Sequence, residues 1–196
     1  MGCEAATAVT RSGKSGLLRA DHRCTMPGMT YVSPFGGMDT DHEWPDPLCL
    51  SRTHCVNAVE ETLSEFYQCA VAAIDAESPS PQPAFFLARH LAELALKALL
   101  GPGQKHGHDL GKLLKRLQES GDDLFTDDED RRLIVAFIRD LHSHDPKGDQ
   151  GRYATTTSGD PSLAAVCCAN PELFRQYVDR LFGYTMERLS SVGQAV

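Results

Sequence analysis

Residues 84–101, AFFLARHLAELALKALLG, decide how the chain folds. Phe86, Leu87, Leu91, Leu94, Ala95, Ala98 and Leu99 recur at spacings of three and four, the period of one wide helical face. Arg89, Glu93 and Lys97 follow at four-residue steps and form a charged ladder along the same helix. Gly101 and Pro102 stop it, because glycine adopts the closing turn and proline cannot continue a helix.

The flanking segments repeat the pattern. Residues 50–76 place Val56, Val59, Leu63, Phe66, Tyr67, Ala70 and Ile74 on one stripe. ESPSPQP at 77–83 interrupts with three prolines. A shorter helix runs from about Asp109 to Ser120 with Leu110, Leu113, Leu114 and Leu117 inward, and Asp109 or His108 sits at its start, where an acid suits the helix dipole. Thr126 or Asp127 caps a fourth helix over 127 to about 143, buried through Leu133, Ile134, Phe137, Ile138 and Leu141. Pro146 disfavours helical geometry at Asp145 and ends that helix near His142 to His144. A long loop leads to a fifth helix from Asn170-Pro171 to about Ser191. Strand signals are sparse. The expectation is an all-α, antiparallel four- to five-helix bundle over residues 48–196, preceded by a mostly irregular N-terminal tail at 1–47.

The chain has 196 residues, is 41% hydrophobic, and carries a net charge of −8 with a pI near 5.4. That balance argues against a protein that coats nucleic acid, since non-specific affinity comes from neutralising phosphates. A local basic groove on an acidic body stays open. Seven cysteines without C-x-x-C spacing disfavour a disulfide framework or zinc knuckle and point to a reducing cytoplasm. No apolar run approaches the length of a membrane span, and the start lacks a secretory apolar stretch. Gly13-Lys14-Ser15 imitates a phosphate loop, but Ala8 stands where the first glycine belongs. MGCEAAT imitates a myristoylation signal, but Ala6 replaces the required hydroxyl residue. Met26, Met29 and Met38 are candidate later starts of translation.

FIRDLHSHD, residues 137–145, carries the candidate chemistry. Histidine moves protons near neutral pH, and arginine holds phosphoryl oxygens in a bidentate grip. Together Arg139 and His144 suit metal-free cleavage of RNA, in which the 2′-OH attacks the adjacent phosphate. One His cannot conveniently make both proton transfers, so a second copy in a homodimer completes the site. Five positions on a straight helix rotate about 140°, so the pair meets only if the ending helix bends. His142, three positions on, shares the face of Arg139. The alternative reading of the same residues is a solvated helix C-terminus whose basic groups complement the dipole.

FFLARHLAELALKALL followed by GHDLGKLL resembles the first part of a HEPN domain, and the resemblance covers about residues 50–192. It implies a four- or five-helix bundle and an antiparallel homodimer. HEPN domains carry Arg, then Asn, Asp or His, then three residues, then His at the end of a late helix, and Arg139-Asp140-Leu141-His142-Ser143-His144 fits that form. The resemblance implies metal-independent RNase activity in toxin or phage-defence systems, with Arg139 and His144 catalytic and Asp140 orienting. LHSHDPKGDQGRY also resembles a HEPN-like subgroup with an Asp-Pro turn followed by an Arg-Tyr pair, here Arg152-Tyr153. Gly151 and Ala154 depart from the aromatic and proline usual around that pair. In that subgroup the Arg-His motif is often not obvious, which implies a module that binds without cutting and works beside a separate nucleotidyltransferase; the toxin reading implies a separate antitoxin instead.

Lys112, Lys115 and Arg116, with Lys105 before them, form a basic run; together with Arg139 and Arg152 they mark the expected RNA path. An alternative partner for Arg152 is an Asp of its own loop. HGHD at 106–109 and HSHD at 142–145 raise a metal reading if the two helix ends meet. The expectation adopted is no metal and no cofactor. Cys167-Cys168 read as packing residues.

Overall fold

A computed structural model describes residues 58–78, 81–102, 107–156, 158–166 and 168–193, all within the unit Ser51–Val196. The expected tail at 1–47, the first turns of the 50–76 helix, Lys105, His106 and Cys167 lie outside the described residues. The fold is all-α: α1 Ala58–Asp75, α2 Pro81–Leu100, α3 Leu110–Glu119, α4 Glu129–His144 and α5 Pro171–Gly193. A 3-10 turn, Asp123–Phe125, separates α3 from α4. Among the described residues the only extended pairing is an isolated bridge between Thr155 and Pro161.

Helix α2 is the centre, packed against α1, α3, α4 and α5. Its sequence explains the position. Between Ala84 and Leu100 only Arg89, His90, Glu93 and Lys97 are polar, so apolar groups run almost all the way round. Such a helix has no broad face to offer water and is buried. Leu91, Leu96, Ala88 and Ala92 are fully enclosed, and the alanines let the neighbouring helices come close. α2 starts at Pro81, three residues earlier than periodicity indicates. Pro81 and Pro83 fall in the first turn, where the backbone N–H groups have no intrahelical acceptor.

The caps set the other boundaries. Asp109 caps α3, its carboxylate accepting from Lys112 N at 3.0 Å. Asp128, rather than Thr126 or Asp127, caps α4 by accepting from Arg131 N. Thr126 is already spent closing the 3-10 turn, where its N–H and hydroxyl both bond Asp123 O. Asn170 caps α5 ahead of Pro171. The acidic turn is anchored to α5. Asp122 accepts from Leu124 N and from Tyr184 Oη at 2.8 Å, and the Arg188 guanidinium approaches its second oxygen. Tyr67 of α1 stacks on Phe182 of α5 with ring centroids 4.0 Å apart.

Val59 departs from the expected buried stripe and is 50% exposed, whereas Leu63, one turn on, is buried. Leu91→Ala is therefore expected to cost about 2–5 kcal/mol in urea unfolding, by lost transfer energy and the cavity left. Val59→Ala stays within about 0.5 kcal/mol. Equal losses at the two positions would contradict this packing.

Candidate functional site

The charged ladder of α2 is interior. Arg89 and Glu93 are each 1% exposed, and Asp145, which caps the C-terminus of α4, is 0% exposed. The Arg89 guanidinium reaches three separate segments. Nη1 donates to Glu93 Oε2 at 3.0 Å, Nη2 to the His108 carbonyl at 2.7 Å, and Nε to the Asp145 carbonyl at 3.2 Å. Nε also lies 3.4 Å from Asp145 Oδ2. The second oxygen of Glu93 accepts from Lys97 Nζ and from His108 Nδ1, both at 2.7 Å. Burial works to raise the Glu93 carboxyl, but Lys97, His108 and Arg89 outweigh it and hold it down to about 2.

The loop after α4 is built on this node. Asp145 Oδ1 accepts from the N–H groups of Gly148 and Asp149 at 2.7 and 2.9 Å. Gly148 has φ +77°, and a Cβ there would sit 2.8 Å from the Arg89 guanidinium carbon. Glycine is required both for that backbone and for that approach. Gly151 is buried against α2, where an added Cβ would meet Phe86 at 3.0 Å. This contact leaves little room for a side chain at position 151. Arg152 takes no carboxylate of its loop among the described residues. Its guanidinium stands 5.2 Å over the Phe86 ring, and Phe86 stacks in turn with His90. Burial lowers the His90 pKa, and Arg152 adds to that effect. Tyr153 is 61% exposed, and its carbonyl is held by Gln82.

α4 remains helical through His144. The bend needed to bring His144 back to Arg139 within one chain is absent, because the chain turns only at Asp145. Arg139 and His144 therefore sit about 140° apart around the axis. Arg139 shares its side with His142, and Asp140 shares its side with His144 four positions on. Arg139 and Asp140 are exposed and His142 and His144 half-buried. His142 packs over α3, where a Cβ on Gly111 would meet its Nε2 at 2.7 Å. Its Nδ1 lies 3.8 Å from Asp109 Oδ1.

The two His-x-His-Asp ends thus do meet, at Asp109 and His142. Among the described residues no three metal-ligating side chains converge. His108 is instead turned to Glu93. Lys112 and Lys115 pair with Asp109 at 3.5 Å and Glu119 at 3.7 Å at the surface of α3, where Arg116 is also exposed. Such exposed pairs contribute little and exchange readily for another anion. Cys168 is exposed rather than packed, since the segment before α5 runs over the surface.

Arg89, Glu93 and Gly148 carry the geometry of this region, and the spacing of basic and imidazole groups did not single them out. The available signal was the absence of a polar face on α2, which leaves a charged ladder nowhere to go but inward.

A carboxyl depressed in the folded state contributes stability above its unfolded pKa, and that contribution is lost as pH falls through the folded value. The Glu93 contribution is thus present above about pH 4.5 and lost toward pH 2. Glu93→Gln is expected to flatten the acid limb of a stability–pH curve in that window. It should also cost about 3–5 kcal/mol at pH 7, because Arg89 keeps a buried charge without its partner. An unchanged acid limb would contradict the assigned ion pair.

No family model, no curated protein and no solved structure matches this chain.

Proposed function

We propose that the chain is a HEPN-like module that binds RNA at the C-terminal end of α4 and, as a homodimer, cleaves it without a metal ion. One observation carries the reading. The side chains of Arg139, Lys147 and Arg152 have neither a hydrogen bond nor a carboxylate partner among the described residues, and the three bracket His144 in sequence. Most other basic groups are committed: Arg89, Lys97, Arg132, Arg175, Arg180 and Arg188 to carboxylates, and Arg131 to Asp123 O and Thr126. An acidic protein that leaves three cations without carboxylate partners, all within eight residues of one imidazole in sequence, offers a place for phosphate.

In the proposed reaction the 2′-oxygen attacks the adjacent phosphorus and the 5′-oxygen leaves. His144 of one copy takes the proton of the 2′-OH, His144 of the other protonates the leaving 5′-oxygen, and Arg139 holds the phosphoryl oxygens. Asp140, beside His144 on the same side of α4, orients the imidazole. Two copies are needed because α4 carries Arg139 and His144 on different sides.

That separation also favours a second reading, a non-catalytic HEPN-like binding module working with a separate partner such as a nucleotidyltransferase. Cleavage of a labelled RNA pool in EDTA decides between them. The enzyme reading expects 2′,3′-cyclic phosphate ends from the wild type and a rate lower by about a hundredfold or more in His144→Ala and Arg139→Ala. A folded dimer that binds RNA but leaves it intact supports the second reading. Equal cutting by wild type and variants would remove Arg139 and His144 from the site.

A further inference from the structure

A cavity of about 480 Å³ opens in the loop between α4 and α5, lined by Asp149, Gln150, Tyr153, Thr155, Thr156 and Ser162 among others. That volume lies in the range of small-ligand sites. Its wall holds several uncommitted hydrogen-bonding groups. The Asp149 carboxylate has no partner among the described residues, although its N–H is used by Asp145. The hydroxyl of Ser162 is buried without a partner. Gln150 is fixed through Oε1, which accepts from Leu163 N at 3.0 Å and leaves the amide nitrogen available. Leu163 sits at φ +55°, the one non-glycine positive φ among the described residues, so this closure is held against backbone preference.

The wall has a chemical preference. An ionised carboxylate only accepts hydrogen bonds, at two adjacent oxygens. Among the four RNA bases, guanine alone presents two adjacent N–H donors on its Watson–Crick edge, N1–H and the 2-amino group. The Gln150 amide nitrogen is a donor for the guanine O6. Tyr153 offers an exposed ring, and bases unstacked from single-stranded RNA stack on such rings. Arg152 and Lys147, both without carboxylate partners, flank Asp149 in sequence and suit the adjoining phosphates. The cavity is also close to the candidate site, since Asp149 N–H bonds the side chain of Asp145, the residue after His144.

We infer that this cavity takes an unpaired guanine base of single-stranded RNA, with Asp149 reading its Watson–Crick edge and Tyr153 stacking on it. The inference rests on the RNA reading above and adds base selectivity to it.

The test is titration of the full chain with fluorescent oligouridine decamers carrying one central G, A, C or U, with guanosine monophosphate titrated in parallel. The G decamer is expected to bind about tenfold tighter than the others. Asp149→Asn should abolish that difference, while removing its negative charge raises the affinity for all four decamers alike. Tyr153→Ala should weaken all four. Equal affinity for the four decamers overturns guanine selectivity and leaves RNA binding standing. A G preference that survives in Asp149→Asn overturns the assigned residue and the cavity with it. Binding of guanosine monophosphate, sensitive to Asp149→Asn, without binding of any decamer would keep the guanine site and overturn the RNA reading. Binding of neither overturns both.

Discussion

The fully buried guanidinium of Arg89 is the constraint on which the rest of this region depends. A buried charge is costly unless it is matched in full, and a partly matched one is worse than an apolar core. Arg89 is matched by groups from three places in the chain: Glu93 one turn along α2, the His108 carbonyl before α3, and Asp145 at the exit of α4. None of these segments can move without leaving the guanidinium unsatisfied. The central helix therefore fixes both the entry of α3 and the loop that follows α4. Removing a hydrophobic contact from such a bundle softens it, whereas removing one partner here strands a charge.

The node also separates structure from surface. Inward, Asp145 holds Arg89 and takes the amides of Gly148 and Asp149. Outward, the same turn presents Lys147, Arg152 and Tyr153 on a backbone that Gly148 and Gly151 press against α2. Arg152 lies over Phe86 rather than against a carboxylate, which leaves its charge available to a ligand. This division holds the exposed groups after α4 on a rigid support.

Much of the architecture was legible in the sequence, and for identifiable reasons. Periodicity located the five α-helices of the described residues, and Asp109 and Asn170 announced two N-termini because short polar side chains at those positions have a single good use. The start of α2 was missed by three residues, since prolines read as breakers although the first turn accommodates them. The cap of α4 slipped from Thr126 or Asp127 to Asp128, since an intervening 3-10 turn gives no hydrophobic period. At the candidate site, Arg139, Asp140, His142 and His144 were placed correctly on the end of one helix. The separation of about 140° between Arg139 and His144 on a straight helix, and the side shared by Arg139 and His142, were legible as well; what was not legible is the tether of Asp145 to Arg89, a contact 56 residues away in sequence. Long-range electrostatic pairing leaves no local pattern to read.

Amide hydrogen exchange at Gly148 and Asp149, in wild type and in Arg89→Lys, tests that tether most directly. Lysine keeps the charge but cannot span three partners as a guanidinium does. The tether predicts protected Gly148 and Asp149 amides in the wild type. It predicts fast exchange of both in the variant, while the buried amides of Leu91 in α2 and Leu181 in α5 stay protected. Unchanged protection of Gly148 and Asp149 in Arg89→Lys would show that the loop holds itself, and the central role assigned to Arg89 would be wrong.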